Sequence, residues 1–176
     1  MTALFDRNTV LFSPLAEAMR LKVRERYWVA RNMLESAPRS YRNLAPFYAA
    51  RSHERALMID LLQRFHLKGD LIAGINLTED LIRDSHNRIT TLGIRRTRTR
   101  DGSVFNAAIP AEMERNIQEH LTDFRPHLPG SYSHWLFPGR TGGPRASFSI
   151  QRTLDRAIEE ARLSAKGLTS HDPKNL

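Results

Sequence analysis

The sequence contains no cysteine among its 176 residues. That excludes a disulfide framework and a thiolate metal site, and it suits a reducing compartment. Long apolar runs are missing as well: no stretch approaches the roughly 18 residues of a membrane-spanning helix. The opening, Met1 to Ser13, carries Asp6 and Arg7 among a few apolar residues and lacks the charged-then-apolar order of a secretion signal. The expectation is a cytoplasmic chain with no membrane partner. The seven histidines are scattered, with no His-x-x-x-His pair and no acidic cluster beside them, so no metal site is expected. No Gly-x-Ser-x-Gly elbow is present. The glycine-rich stretch Gly139 to Arg145 has no strand before it and no Gly-Lys-Ser/Thr ending, which rules out a phosphate-cradling loop of the P-loop kind. No cofactor is expected.

Acid is also in short supply. Nineteen Asp and Glu stand against 27 Lys and Arg, for a net charge of +8 and an isoelectric point near 10.5. A chain of this balance is drawn to polyanions, and nucleic acid is the first candidate.

Periodicity organises the rest. Ser13-Pro14 reads as a helix start. Leu15, Met19, Val23, Tyr27, Ala30 and Leu34 then recur at three- and four-residue spacing, which predicts a helix to about Glu35. Seven basic and two acidic residues lie between Arg20 and Arg42. Pro38 and Pro46 bracket an irregular stretch, and a second helix is predicted from near Ser52, with Met58, Leu61, Leu62 and Phe65 inward. Gly69 interrupts it, and a short helix from Asp70 to Ile75 follows. The period then changes. Arg88 to Arg96 and Ser103 to Ile109 read as two strands joined at Asp101-Gly102. Pro110 opens a helix carrying Met113, Ile117, Leu121 and Phe124. A loop from Arg125 to Arg145 encloses Trp135-Leu136-Phe137, and Ser147 caps a last helix with Ile150, Leu154, Ala157, Ile158 and Ala161 inward. This order predicts a mainly helical α+β fold around a small antiparallel hairpin. Residues 1–45 are read as a basic helical arm or the start of the domain, and 46–176 as the domain itself.

Three stretches together resemble the catalytic domain of the tyrosine recombinase (phage integrase) family. The first is Ala56 to Ile72, similar to a segment in which Gly-Leu-Arg precedes an acidic residue and Leu. The second is Ile89 to Pro110, similar to a hairpin with a basic tip whose second strand ends in an apolar-Pro step. The third is Trp135-Leu136-Phe137-Pro138 with Leu154 to Asp172, ending in Gly167-Leu168-Thr169-Ser170-His171-Asp172, like the run-up to a His-x-x-Arg box.

The resemblance implies strand cleavage and rejoining through a phosphotyrosine, with two arginines on the phosphate oxygens and a hairpin lysine and histidines moving protons. The residues depart from that pattern. Lys68 and Lys174 stand at the arginine positions, which keeps charge but loses the bidentate fork. The hairpin carries Arg95, Arg96, Arg98 and Arg100 and no lysine, and arginine holds its proton at neutral pH. The four tyrosines (Tyr27, Tyr41, Tyr48 and Tyr132) all precede His171. The catalytic positions Lys68, Arg96, Arg98, His171 and Lys174 are thus read as degenerate, and no catalytic set as intact. Arg88, Arg95, Arg96, Arg98, Arg100, Lys68, His171 and Lys174 are read as contacts to double-stranded DNA. The expected function is a DNA-binding, catalytically inactive protein acting in or regulating DNA recombination or integration, with an active recombinase or a second copy as further partners. A split recombinase whose tyrosine comes from another chain is the enzymatic alternative. An interaction module or a remnant is the third.

Overall fold

Small residues decide how closely the first two helices approach. In the structure, a computed structural model that describes residues 14–36, 44–95 and 104–165, helix α1 spans Pro14–Ser36 and helix α2 spans Ala45–Phe65. Ala30 of α1 is buried with Ala49 and Ala50 of α2 against Phe124 and Leu128. Farther along, Met19 and Val23 pack on Ile59, Ala157 and Ala161. Helix α2 starts seven residues before the expected Ser52. Pro46 sits in its first turn, where a missing N–H costs nothing, so this proline begins a helix rather than closing a loop. The alanine-rich first half shows no apolar stripe because its buried face, Ala45, Ala49, Ala50, His53 and Glu54, is made of small and polar side chains, whereas Ala56 to Leu62 is buried all round.

Helix α2 ends at His66, whose φ of 51° is left-handed, and Gly69 instead begins helix α3, Gly69–Ala73. A side chain at a left-handed C-terminal position is strained where glycine is not. His66→Gly should therefore raise stability by about 0.5–1 kcal/mol in urea unfolding. An unchanged or lowered midpoint would show that the histidine is held there by something other than this backbone.

Three antiparallel strands follow in the order β1 (Leu81–Arg83), β2 (Ile89–Ile94), β3 (Phe105–Ala108). β1 is additional to the expected hairpin. It is three residues long, with an irregular register between Ile82 and Arg83. In β2, Gly93 pairs with Asn106, and a β-carbon there would stand 2.9 Å from the Asn106 Oδ1, a contact that a turn of that exposed side chain relieves. The expected turn at Asp101-Gly102 lies outside the described residues.

Helix α4, Ala111–Glu119, widens into a π-turn at His120–Phe124 and tightens into a 3-10 turn at Arg125–His127. The segment after it is pinned to the chain after α3. Leu136 N–H donates to the Ile75 carbonyl and Leu77 N–H to that of His134, both at 2.9 Å. Helix α5 runs Ser147–Ala165. The main core gathers Leu57, Met58 and Leu61 of α2, Leu92 and Ile94 of the sheet, Met113 and Ile117 of α4, Phe137 and Ile150. The fold is α+β and mainly helical. Among the described residues no helix is long and apolar enough to cross a membrane.

Candidate nucleic-acid interface

The β2–β3 pair touches the end of α2. Ile94, the last residue of β2, pairs with Phe105, and the Phe105 ring lies edge-on to Phe65 at 6.0 Å. Phe65 closes α2. Three residues on, Lys68 adopts an extended conformation as the N-cap of α3, and its side chain is exposed. Arg95, the residue after Ile94, is exposed as well. Lys68 and Arg95 are thus the exposed basic residues that follow, by three positions and by one, two elements linked through this ring contact. Arg96, Arg98, Arg100, His171 and Lys174 lie outside the described residues.

Arg88 does not join them. It precedes β2, and six strand residues at about 3.3 Å each put about 20 Å between it and Arg95. Its guanidinium is held by Asp84, with Nη2 2.8 Å from Oδ2, and the Asp84 carboxylate also accepts from the His86 and Arg88 backbone N–H groups. Those backbone and side-chain donors of Arg88, with the His86 N–H, hold the Asp84 carboxyl below its ordinary value. Arg88 closes the β1–β2 turn.

A second basic feature lies between α1, α2 and α5. Arg26 (α1), Arg55 (α2), and Arg152 and Arg156 (α5) line a half-open cleft of about 180 Å³ with Phe148 and Ser149. Behind it, Glu54 is fully buried and accepts from Arg51 at 2.7 Å and Arg145 at 2.5 Å. Burial pushes the Glu54 carboxyl up, against the pull of Arg145 and Arg51. Arg145 Nε also donates to the Ser149 hydroxyl at 3.2 Å. Glu160 pairs with Arg26 at 2.5 Å. No described carboxylate forms a salt bridge with Arg55, Arg152 or Arg156. Burial first, and then the charges of Arg26, Arg145 and Arg156, hold the Arg55 guanidinium below its ordinary value.

The cleft was legible only in part. Arg51/Arg55 and Arg152/Arg156 are two i,i+4 arginine pairs, a spacing that puts both members on one helix face. Nothing in a linear reading says that the two faces meet. Among the described residues no group of three histidines or carboxylates is placed to hold a metal ion.

Comparison with protein-family models, curated proteins and solved structures finds no match.

Proposed function

We propose that this chain is a double-stranded-DNA-binding protein of recombinase-like build, acting in or regulating DNA recombination rather than carrying out strand transfer itself. The observation that supports it best is that Lys68 and Arg95 are both exposed beside elements that the Phe65–Phe105 contact ties together. Four arginines fall within residues 95–100 of a chain whose net charge is +8. Phosphate contacts from such side chains position a protein on a duplex without reading sequence. Strand transfer is no part of the proposal, because Lys68 offers a point charge where the resemblance calls for a bidentate fork.

Fluorescence anisotropy on a labelled duplex across a salt series tests this. The logarithm of affinity should fall linearly with the logarithm of salt, by about 0.9 units per neutralised phosphate. Replacing Lys68, Arg95, Arg96, Arg98 and Arg100 together by alanine should flatten the slope by roughly one unit for each phosphate that is no longer neutralised. Arg88→Ala should leave it unchanged, since that guanidinium serves Asp84 at the far end of β2. A slope untouched by the five-residue variant, or no binding, would overturn the proposal.

A further inference from the structure

The cleft between α1, α2 and α5 concentrates charge in a way the hairpin does not. Four arginines face one glutamate there, which leaves a net charge of +3 on the lining. Arg55 is part-buried among like charges, an arrangement that favours an anion able to answer several guanidinium groups at once. A single carboxylate neutralises one charge, and Glu160 already does that for Arg26. A phosphate ester brings more charge and several acceptor oxygens. The space suits more than a bare ion, since the cleft of about 180 Å³ far exceeds the roughly 10–15 Å³ that one water needs on the same measure.

Two neighbouring groups narrow the ligand. The Ser149 hydroxyl, which also lines the cleft, accepts from Arg145 and keeps its own proton to donate. Phe148 lines the cleft and is 66% exposed, so its ring is open to a ligand. An aromatic face beside arginines is the pairing that holds a base and its phosphate.

We infer that the α1–α2–α5 cleft is a nucleotide site, with the phosphates held by Arg55, Arg152, Arg156 and the Ser149 hydroxyl and the base stacked on Phe148. The site uses none of the residues assigned to duplex contact, so it stands or falls apart from that reading. Its occupant is a free nucleotide or the terminal nucleotide of a nucleic-acid strand.

The probe is ADP, titrated by calorimetry at fixed ionic strength, with inorganic pyrophosphate as the comparison. The wild type should bind ADP saturably and more tightly than pyrophosphate. Arg152→Ala/Arg156→Ala, at two exposed positions that leave the core intact, should weaken ADP at least about tenfold. Phe148→Ala should weaken ADP several-fold and leave pyrophosphate unchanged. Lys68→Ala/Arg95→Ala should bind ADP as the wild type does. A 5′-phosphorylated oligonucleotide that displaces ADP, where its unphosphorylated twin does not, identifies a strand terminus as the occupant; equal failure of both identifies a free nucleotide. Three results overturn the inference: no saturable ADP binding, ADP binding indifferent to the arginine pair, or ADP no tighter than pyrophosphate.

Discussion

Arg125→Met should destabilise the protein by about 3–4 kcal/mol, which for a chain of this size lowers Tm by about 10 °C. The arginine is buried and makes no salt bridge among the described residues. Its guanidinium instead gathers backbone carbonyls. Nη1 donates to Ser131 at 2.6 Å, Nη2 to Ser133 at 2.5 Å and to Trp135 at 2.9 Å, and Nε to Trp135 at 3.2 Å. Those carbonyls belong to an irregular segment with no strand or helix of its own to satisfy them, and leaving each without a donor costs about 1–3 kcal/mol where it is buried. Methionine keeps the bulk and removes every donor.

Two effects oppose each other in that variant. Removing a desolvated charge is favourable, and burial already holds the Arg125 guanidinium below its ordinary value. Against it stand three carbonyls and the chain they anchor, which delivers Leu136 and Phe137 to the core. The carbonyl loss is the larger. Arg125→Lys should recover only a minority of the stability, because an ammonium cannot match three carbonyls arranged for a planar fork. Urea unfolding of the three proteins decides it: a methionine variant within about 1 kcal/mol of the wild type would show that the fork is dispensable.

This arginine also shows where a linear reading runs out. Residues 125–145 read as a loop, and the apolar Trp135-Leu136-Phe137 stood out, but nothing in the spacing of Arg125 marks it as a scaffold rather than one more basic residue. Elements with a stripe were legible: α1, the last half of α2, α4 and α5 each keep their apolar period, and the inward residues are those the period names. Elements fixed by tertiary contact were not. The first seven residues of α2 lack a stripe because those that are buried, Ala45, Ala49 and Ala50, are all alanine, and β1 is too short for its alternation to register. The same limit governs the sites. Lys68 and Arg95 stand apart in the sequence, whereas the elements beside them are linked by an aromatic contact between residues 40 positions apart (Phe65 and Phe105). The arginine cleft draws on three helices. Its charges were counted in the sequence but could not be assembled from it.

Acid should unfold this protein from a higher pH than its carboxylates alone require, because two histidines are buried uncharged at its centre. His53 and His120 are 1% and 0% exposed, with rings stacked at 5.5 Å, and His53 stacks on Phe124 at 4.1 Å. Among the described residues neither His53 nitrogen has a hydrogen-bond partner. Burial, then the charges of His120 and Arg31, lowers His53 to about 2. Burial lowers His120 to about 3, with the Leu136 backbone opposing the shift and Arg125 adding to it. Both folded values lie below the ordinary 6.5, so the unfolded chain takes up the protons first. The stabilisation is complete above pH 6.5 and drains away as pH falls towards the folded values. Each histidine contributes a slope of about 1.4 kcal/mol per pH unit within that window. Asp60 and Glu54 act in the opposite sense, since burial raises both carboxyls and the folded state then binds their protons more readily. A comparison at matched pH removes them. His53→Leu/His120→Leu keeps the carboxylates and the approximate volume, so between about pH 6.5 and 4.5 its stability should fall less steeply than the wild type's, by up to about 2.7 kcal/mol per pH unit. Parallel curves for the two proteins would mean that the histidines are already charged or solvated in the fold.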